Sequence, residues 1–153
     1  MVTTTRINKH DMISQNILLT TDCVILFFGP AETEILLVKR KSDPYKGLWA
    51  LPGGFVEDNE ALEEGAKREL EEETGLVVEE LHQIGAFGAP GRDPRGRTVT
   101  IAYWATITSR VKVKGSDDAE EADWFSVSKL PALAFDHREI IKEALRKIIF
   151  SRI

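Results

Sequence analysis

The stretch GFVEDNEALEEGAKRELEEETGL, residues 54–76, decides the fold of this chain. It opens on Gly54, where the missing side chain lets the backbone turn and approach its neighbours closely. From about Glu60 to Thr74 the apolar spacing predicts an amphipathic helix, and Gly75 is its expected left-handed C′ residue. The stretch therefore predicts a tight loop that leads directly into a helix.

Three glutamates of this helix lie in or beside its apolar face. Each residue advances by about 100° around the helix axis, so with Glu69 at zero Glu73 falls near roughly +40° and Glu72 near roughly −60°. The apolar face covers roughly −40° to +100° on the same scale. Its residues are Leu62, Gly65, Ala66 and Leu70.

This placement is costly for a helix with a purely structural role. Like charges at i,i+3 or i,i+4 repel by about 0.2–0.5 kcal/mol per pair, and acids in the last turn oppose the helix dipole. Arg68 is the nearest cation, but it can equally pair with Glu64 and Glu72. A hard divalent cation such as Mg²⁺ takes carboxylates and substrate phosphate oxygens as ligands. The pattern therefore favours metal binding by the three glutamates over a solvated acidic face, which is the interpretation preferred for Glu63, Glu64 and Glu71.

The rest of the chain reads as strands with one further helix. Strands are predicted at about 18–28, 34–40, 49–51, 77–87, 98–108 and 122–127, with loops at 88–97 and 114–121. Asp136 is the expected N-cap of a final helix whose buried stripe is Ile140, Ile141, Ala144, Leu145, Ile148 and Ile149. This order predicts an α/β (α+β) fold, a mixed sheet between helices, in a single domain over residues 1–153.

Composition limits the function classes. The 153 residues are 42% hydrophobic and 29% charged, as in ordinary globular proteins. With 25 Asp and Glu against 20 Lys and Arg, we expect no nucleic-acid partner, because non-specific binding needs a basic face. Cys23, the only cysteine, lies in an apolar run and is interpreted as a buried hydrophobe. No membrane association is expected, and Met1 to His10 does not resemble a signal peptide, so we expect a cytoplasmic protein.

The segment also resembles a known motif. Gly54, five residues, Glu60, seven residues and then RELEEETGL at 68–76 is similar to the Nudix box at every defined position. The resemblance implies the Nudix fold, an α/β/α sandwich, and the family's chemistry, which is hydrolysis of a nucleoside diphosphate linked to another group. It further implies Mg²⁺, or Mn²⁺, as the cofactor.

The resemblance assigns roles residue by residue. Glu69, Glu72 and Glu73 are implied as metal ligands and catalytic residues, with Glu69 also a candidate base, and Gly54 offers its backbone carbonyl to the metal. Arg68, counted with the catalytic residues, and Glu60 are implied to hold the geometry between loop and helix. In other families of this fold the base comes from a loop outside the box. The acidic loop at 117–121 is the expected source, with Glu120 or Glu121 preferred, although a merely solvated loop is an equal alternative.

Specificity is expected outside the box. Residues 45–55, 88–97 and 133–137 resemble ADP-ribose pyrophosphatases, which implies ADP-ribose as the small-molecule nucleotide substrate. Arg92, Arg95 and Arg97 are the predicted substrate-binding residues, because guanidinium groups form charge-assisted bonds to phosphate. Solvated loop arginines are the alternative.

The sequence leaves two other functions open. The substrate could be another nucleotide sugar or a dinucleotide, or the protein could be a non-catalytic sensor, since similar Nudix domains occur fused to DNA-binding modules. The complete box and the end of the sequence at Ile153 argue against a sensor. A homodimer is expected because relatives often dimerise, with residues 12–19 as a candidate exchanged strand.

Overall fold

The fold is a sheet covered by one helix on each face. The computed structural model describes residues 15–110, 112–113 and 119–151. The elements are β1 (Leu18–Phe28), β2 (Thr33–Arg40), β3 (Trp49–Ala50), β4 (Gly53–Phe55), α1 (Leu62–Thr74), β5 (His82–Phe87), β6 (Thr98–Ile107), β7 (Ala119–Ser126) and α2 (His137–Ser151).

The sheet is mixed. Its order is β3-β2-β1-β6-β5, with β4 also paired to β1 and β7 also paired to β2. β1 runs parallel to β6, from Leu18 opposite Thr98 to Phe27 opposite Ile107, and the other pairs are antiparallel. The predicted mixed sheet is therefore confirmed.

Two core layers form because β1 is apolar on both faces. Successive side chains of a strand point to opposite faces, so Val24 and Leu26 pack in the layer under α2 while Cys23 and Ile25 pack in the layer under α1. Burial of each large aliphatic side chain contributes about 1.5–3 kcal/mol, which makes β1 the central element of the core. The predicted α/β/α sandwich is confirmed, and Cys23 is fully buried as expected.

Several predicted boundaries were wrong. β4 was not predicted, because a Gly-Gly pair has poor intrinsic strand preference and its pairing with β1 is a tertiary interaction. The strand predicted from residue 77 begins only at His82. β7 begins at Ala119, so Glu120 and Glu121 belong to a strand rather than to a loop, since pairing with β2 continues past a bulge to Arg40.

The helix predictions need smaller corrections. α1 begins at Leu62 rather than near Glu60. In α2, Ile149 is 62% exposed and does not belong to the buried stripe, whereas Ile140, Ile141, Ala144 and Ile148 do. Neither helix, nor any other in the described part of the chain, is long and apolar enough to cross a membrane.

The proposed exchanged strand falls partly outside the described residues, which begin at residue 15. Within them, Leu18 and Leu19 pair with Thr98 and Val99 of their own chain.

Candidate active site

The glutamate helix is oriented by its small and apolar residues. Gly65, Ala66 and Leu70 are buried against the sheet, which directs Glu69 and Glu73 into a cavity of about 500 Å³. At the start of the helix the Glu64 carboxylate accepts a hydrogen bond from the Ala61 backbone N–H at 3.2 Å. The cavity is also lined by β4 and by parts of β1, β2, the loop before β6 and the start of α2.

Arg68 joins the loop to the helix. Its guanidinium donates two hydrogen bonds to Glu60, of 2.8 and 2.9 Å, and one of 3.1 Å to the Phe55 carbonyl. Its Nη1 donates to Glu69 Oε1 at 2.9 Å and to Glu72 Oε2 at 3.2 Å. Hydrogen bonds from Arg68, with a further one from the Glu57 N–H, lower the pKa of Glu60 to about 2. The Arg68 guanidinium therefore holds two glutamates of α1, Glu69 and Glu72, close to one positive charge.

Gly54 is required by the position of Glu69. A Cβ on Gly54 would lie 2.5 Å from Cδ of Glu69 and 2.7 Å from both carboxylate oxygens, closer than real contacts allow. β4 brings Gly54 there by pairing it with Thr21 of β1. The neighbouring Gly53 is even more constrained, since a Cβ there would lie 2.0 Å from the Thr21 carbonyl oxygen.

The donor set of this site fits a hard divalent cation. Glu69 and Glu73 line the cavity together with Gly54, while Glu72 does not and its side chain is 51% exposed. Within the described ranges, no three acidic, histidine or cysteine side chains already converge on one point as a finished metal site. The oxygens of Glu69 and Glu73 and the Gly54 backbone are nonetheless the ligand types that Mg²⁺ and Mn²⁺ prefer, completed by water or phosphate. Burial raises the pKa of the Cys23 thiol, and the carboxylates of Asp22, Glu73 and Glu69 raise it further.

The predicted arginines have different positions. Arg92 lines the cavity, but its side chain is only 4% exposed and forms a two-pronged ion pair with Asp136, at 2.7 and 3.0 Å. Arg95 lines the cavity beside Asp93, with which it bonds at 2.8 Å. Arg97 is exposed and is not among the residues that line the cavity.

The predicted base residues, Glu120 and Glu121, belong to β7, which pairs with β2. Glu121 is exposed, and its carboxylate is 3.5 Å from Nζ of Lys39, which lines the cavity. Glu120 precedes it in β7. The structure thus places Glu121 near the cavity through Lys39 but not among its lining residues.

A buried polar pair at the cavity, Asp22 and His137, was not predicted from the sequence. Asp22 of β1 accepts a hydrogen bond from Thr100 at 2.6 Å, and its other oxygen is 3.5 Å from Nε2 of His137. Nδ1 of His137 accepts from the Leu51 N–H at 3.0 Å, which assigns the proton of the neutral ring to Nε2. Burial raises the pKa of Asp22 and lowers that of His137. No sequence signal could have joined residues 22 and 137, because only the fold brings them together.

Comparison with known proteins agrees with this geometry. The NUDIX domain model matches residues 19–146. An ADP-ribose pyrophosphatase of Methanocaldococcus jannaschii is 41% identical over 140 residues, which is 92% of this chain and 82% of that protein. The resemblance seen in the box is confirmed, and the chain belongs to the NUDIX family.

Solved structures of relatives share the fold. The NUDIX domain of Shewanella oneidensis NrtR, in a complex with ADP-ribose, superimposes with a TM-score of 0.81 at 30% identity and covers 94% of each chain. A bifunctional NMN adenylyltransferase/ADP-ribose pyrophosphatase of Francisella tularensis, complexed with AMP and a manganese ion, has a TM-score of 0.78 at 30% identity. This chain covers 44% of that protein, and the match takes in 90% of this chain. The protein described here is a Nudix hydrolase, an enzyme class that uses divalent metal ions.

Proposed function

We propose that this enzyme hydrolyses ADP-ribose to AMP and ribose 5-phosphate with Mg²⁺ as its cofactor. The observation that carries the proposal is the 41% identity to an ADP-ribose pyrophosphatase over 92% of the chain. The cavity is consistent with it, because carboxylates for metal and guanidinium groups for phosphate line the same space of about 500 Å³.

The proposed metal ligands are Glu69, Glu72, Glu73 and the Gly54 carbonyl. These residues would hold a divalent cation, which would supply neutralisation of charge on the diphosphate and activation of water as a nucleophile. Arg68 holds the Glu69 and Glu72 carboxylates in register with the loop through its bonds to Glu60 and the Phe55 carbonyl. Its contribution to catalysis is therefore to keep the ligand geometry fixed, because small misplacements of catalytic groups reduce rates strongly.

The reaction needs one base. Water attacks one phosphorus of the diphosphate, the P–O bond to the other phosphate breaks, and a carboxylate accepts the proton of the water. Glu120 or Glu121 is the proposed acceptor, and Glu69 is the alternative. Glu121 lies on β7, and its carboxylate is 3.5 Å from Nζ of Lys39, a residue of β2 that lines the cavity. Glutamine variants at all three positions, compared by single-turnover rate, separate these assignments.

The proposal is tested by AMP release from a panel of nucleoside diphosphate conjugates, each with Mg²⁺ and again with EDTA. We expect ADP-ribose to be preferred and EDTA to abolish its turnover. Preference for another nucleotide sugar or a dinucleotide would keep the class of enzyme and reject this substrate. Turnover that persists in EDTA would reject the metal assignment.

A sensor function is the second candidate. The NrtR NUDIX domain that superimposes on this chain was crystallised with ADP-ribose, so ligand binding by this fold can be observed apart from turnover. Tight binding of ADP-ribose by this protein, with no hydrolysis in Mg²⁺ or Mn²⁺, would assign it to the sensor class.

We also propose that the protein is a cytoplasmic homodimer. Ile17 and the first two residues of β1, Leu18 and Leu19, are 37–44% exposed, which gives an apolar surface for contact with a second chain. Light scattering during size-exclusion chromatography gives the mass directly, and a monomer at micromolar concentration would reject the dimer.

A further inference from the structure

Two arginines from distant parts of the chain share one aromatic ring in the cavity. Cζ of Arg40 lies 5.0 Å from the centroid of the Phe135 ring, and Cζ of Arg95 lies 5.6 Å from the same centroid. Arg95 is also 5.1 Å from the centroid of Phe55. All four residues line the cavity that contains Glu69 and Glu73. A guanidinium group over an aromatic face is attracted by the ring quadrupole, so Phe135 holds both cations in place.

Each guanidinium retains a donor that points to no acceptor among the described residues. Arg40 donates from Nε to the Pro44 carbonyl and from Nη2 to the Ser42 carbonyl, so its protein partners are neutral. Arg95 donates from Nε and Nη2 to Asp93. For both arginines, Nη1 forms no hydrogen bond within the described part of the chain. Arg92 differs, since its carboxylate partner covers it and its side chain is only 4% exposed.

The ring that carries the two cations is held in an unusual backbone conformation. Phe135 has φ +52° and Tyr45 has φ +62°, and the two rings meet edge to face with centroids 4.8 Å apart. Asn59 is the other non-glycine residue with positive φ in the described ranges. Left-handed backbone is unfavourable for residues with bulky side chains and persists where the surroundings impose it, commonly at functional sites. The edge contact with Tyr45 is one of the interactions that hold the Phe135 ring in this position.

Charged groups of both signs act on Arg40. Burial and the neighbouring Arg95 lower the pKa of Arg40, and the Glu73, Asp93 and Asp22 carboxylates raise it, yet a guanidinium stays charged at any physiological pH. Within the described residues the hydrogen bonds of Arg40 go to neutral carbonyls, so its charge can be matched by an anionic group with several acceptor oxygens. Phosphate has the oxygens and the charge to bind both Nη1 donors.

We infer that Arg40 and Arg95, both positioned by Phe135, form the site that binds the phosphate groups of the substrate. This inference rests on the proposed function for the identity of the nucleotide, but not for the preference for phosphate. Arg40 and Phe135 were not predicted from the sequence as site residues. Arg95 was predicted to bind substrate, and the structure adds its contacts with Asp93 and Phe135. The Phe135 ring is a positioning element that acts through the two arginines.

The test compares binding of ADP and adenosine by calorimetry in EDTA. Without metal the box carboxylates repel anions, so a preference for ADP over adenosine must come from protein cations. We expect Arg40→Gln and Arg95→Gln each to weaken ADP binding about tenfold, the loss of a charge-assisted hydrogen bond, with adenosine binding unchanged. Phe135→Leu should weaken ADP binding by a similar factor, and its effect should be less than multiplicative with Arg40→Gln because the residues act together. Arg146→Gln, an exposed arginine of α2 paired with Glu143, is the matched control.

Three outcomes would overturn the inference. These are a wild-type protein without preference for ADP, arginine variants that bind ADP as wild type does, or equal loss of ADP and adenosine, which would make the cluster a base-binding site. Thermal unfolding shows whether each variant is folded. If Arg40→Gln does not fold, Arg40→Lys is measured in its place. With Mg²⁺, the same arginine variants should raise KM for ADP-ribose more than they lower kcat. Failure of the proposed function is distinguishable, because it leaves the binding differences in place while no AMP is released from ADP-ribose.

Discussion

Replacing Gly54 with alanine is expected to reduce kcat about 100-fold while the protein still folds. The added Cβ would lie 2.5 Å from Cδ of Glu69, so restoring an ordinary contact requires the carboxylate to retreat by about 0.9 Å, from 2.5 Å to 3.4 Å. A displacement of about 1 Å in a catalytic group can reduce the rate about 100-fold. The obstacle is the end of a side chain rather than backbone, so we expect Glu69 to move and the fold to survive with a loss of about 1–3 kcal/mol in unfolding free energy.

Two other glycines make this prediction specific. Gly53→Ala would place its Cβ 2.0 Å from the Thr21 carbonyl oxygen, where only backbone movement gives relief, so we expect a severely destabilised protein. Gly96→Ala meets only Cδ1 of Leu18 at 4.0 Å and should leave both stability and activity unchanged.

The assay is steady-state AMP release from ADP-ribose in Mg²⁺, with urea unfolding of each variant. Activity of Gly54→Ala within a factor of two of wild type would refute the reasoning, because it would mean that the position of Glu69 against the loop does not matter for catalysis. Loss of the fold in Gly54→Ala would refute the other half, namely that the side chain gives way before the backbone.

The remaining predictions concern a ligand, an ion pair and the buried thiol. Glu73→Gln should abolish turnover and leave the unfolding midpoint close to that of wild type; full activity would remove Glu73 from the metal site. Glu60 has a pKa lowered to about 2 from 4.5, so its charge stabilises the native state above pH 4.5 and this contribution disappears as the pH falls towards 2. Glu60→Gln should therefore be less stable than wild type at pH 7, with a difference that shrinks towards pH 2 in urea titrations; an equal difference at both pH values would contradict this. Cys23 is fully buried, and burial raises its pKa, so the native protein should not react with a thiol reagent until it is unfolded in urea; rapid labelling of the native state would oppose the assigned packing.

The helix and its chemistry could be predicted from the sequence because their signals are local. Glu69, Glu72 and Glu73 are close in sequence, and helical periodicity alone places them on neighbouring positions of one surface. The same holds for β1, whose apolar and β-branched run predicts a strand at 18–28; its central position and its burial on both faces come from the structure. Gly75 as the end of α1 is likewise a local signal, confirmed by its φ of +76°.

Loop residues could not be assigned from the sequence because their environment depends on tertiary contacts. Arg92, Arg95 and Arg97 look equivalent in a glycine- and proline-rich loop. The structure pairs the first with Asp136, places the second beside Asp93 and Phe135, and leaves the third exposed outside the cavity lining. The carboxylate partner of Arg92, Asp136, is 44 residues away in the sequence. The carboxylate partner of Arg95, Asp93, is only two residues away, but its aromatic contact Phe135 is distant.

The sequence by itself determined the family, the glutamate helix and the mixed sheet, since each follows from patterns that span a few turns or one strand. Only the tertiary structure decided that Gly54 lies against Glu69, that Asp22 faces His137 and that Arg40 and Arg95 share the ring of Phe135. The physical reason is that these contacts join residues of β1, β2, β4, α1, the loop before β6 and the segment that leads into α2, which are far apart in the sequence. Their geometry is set by strand register and helix packing, which no local pattern of residues encodes.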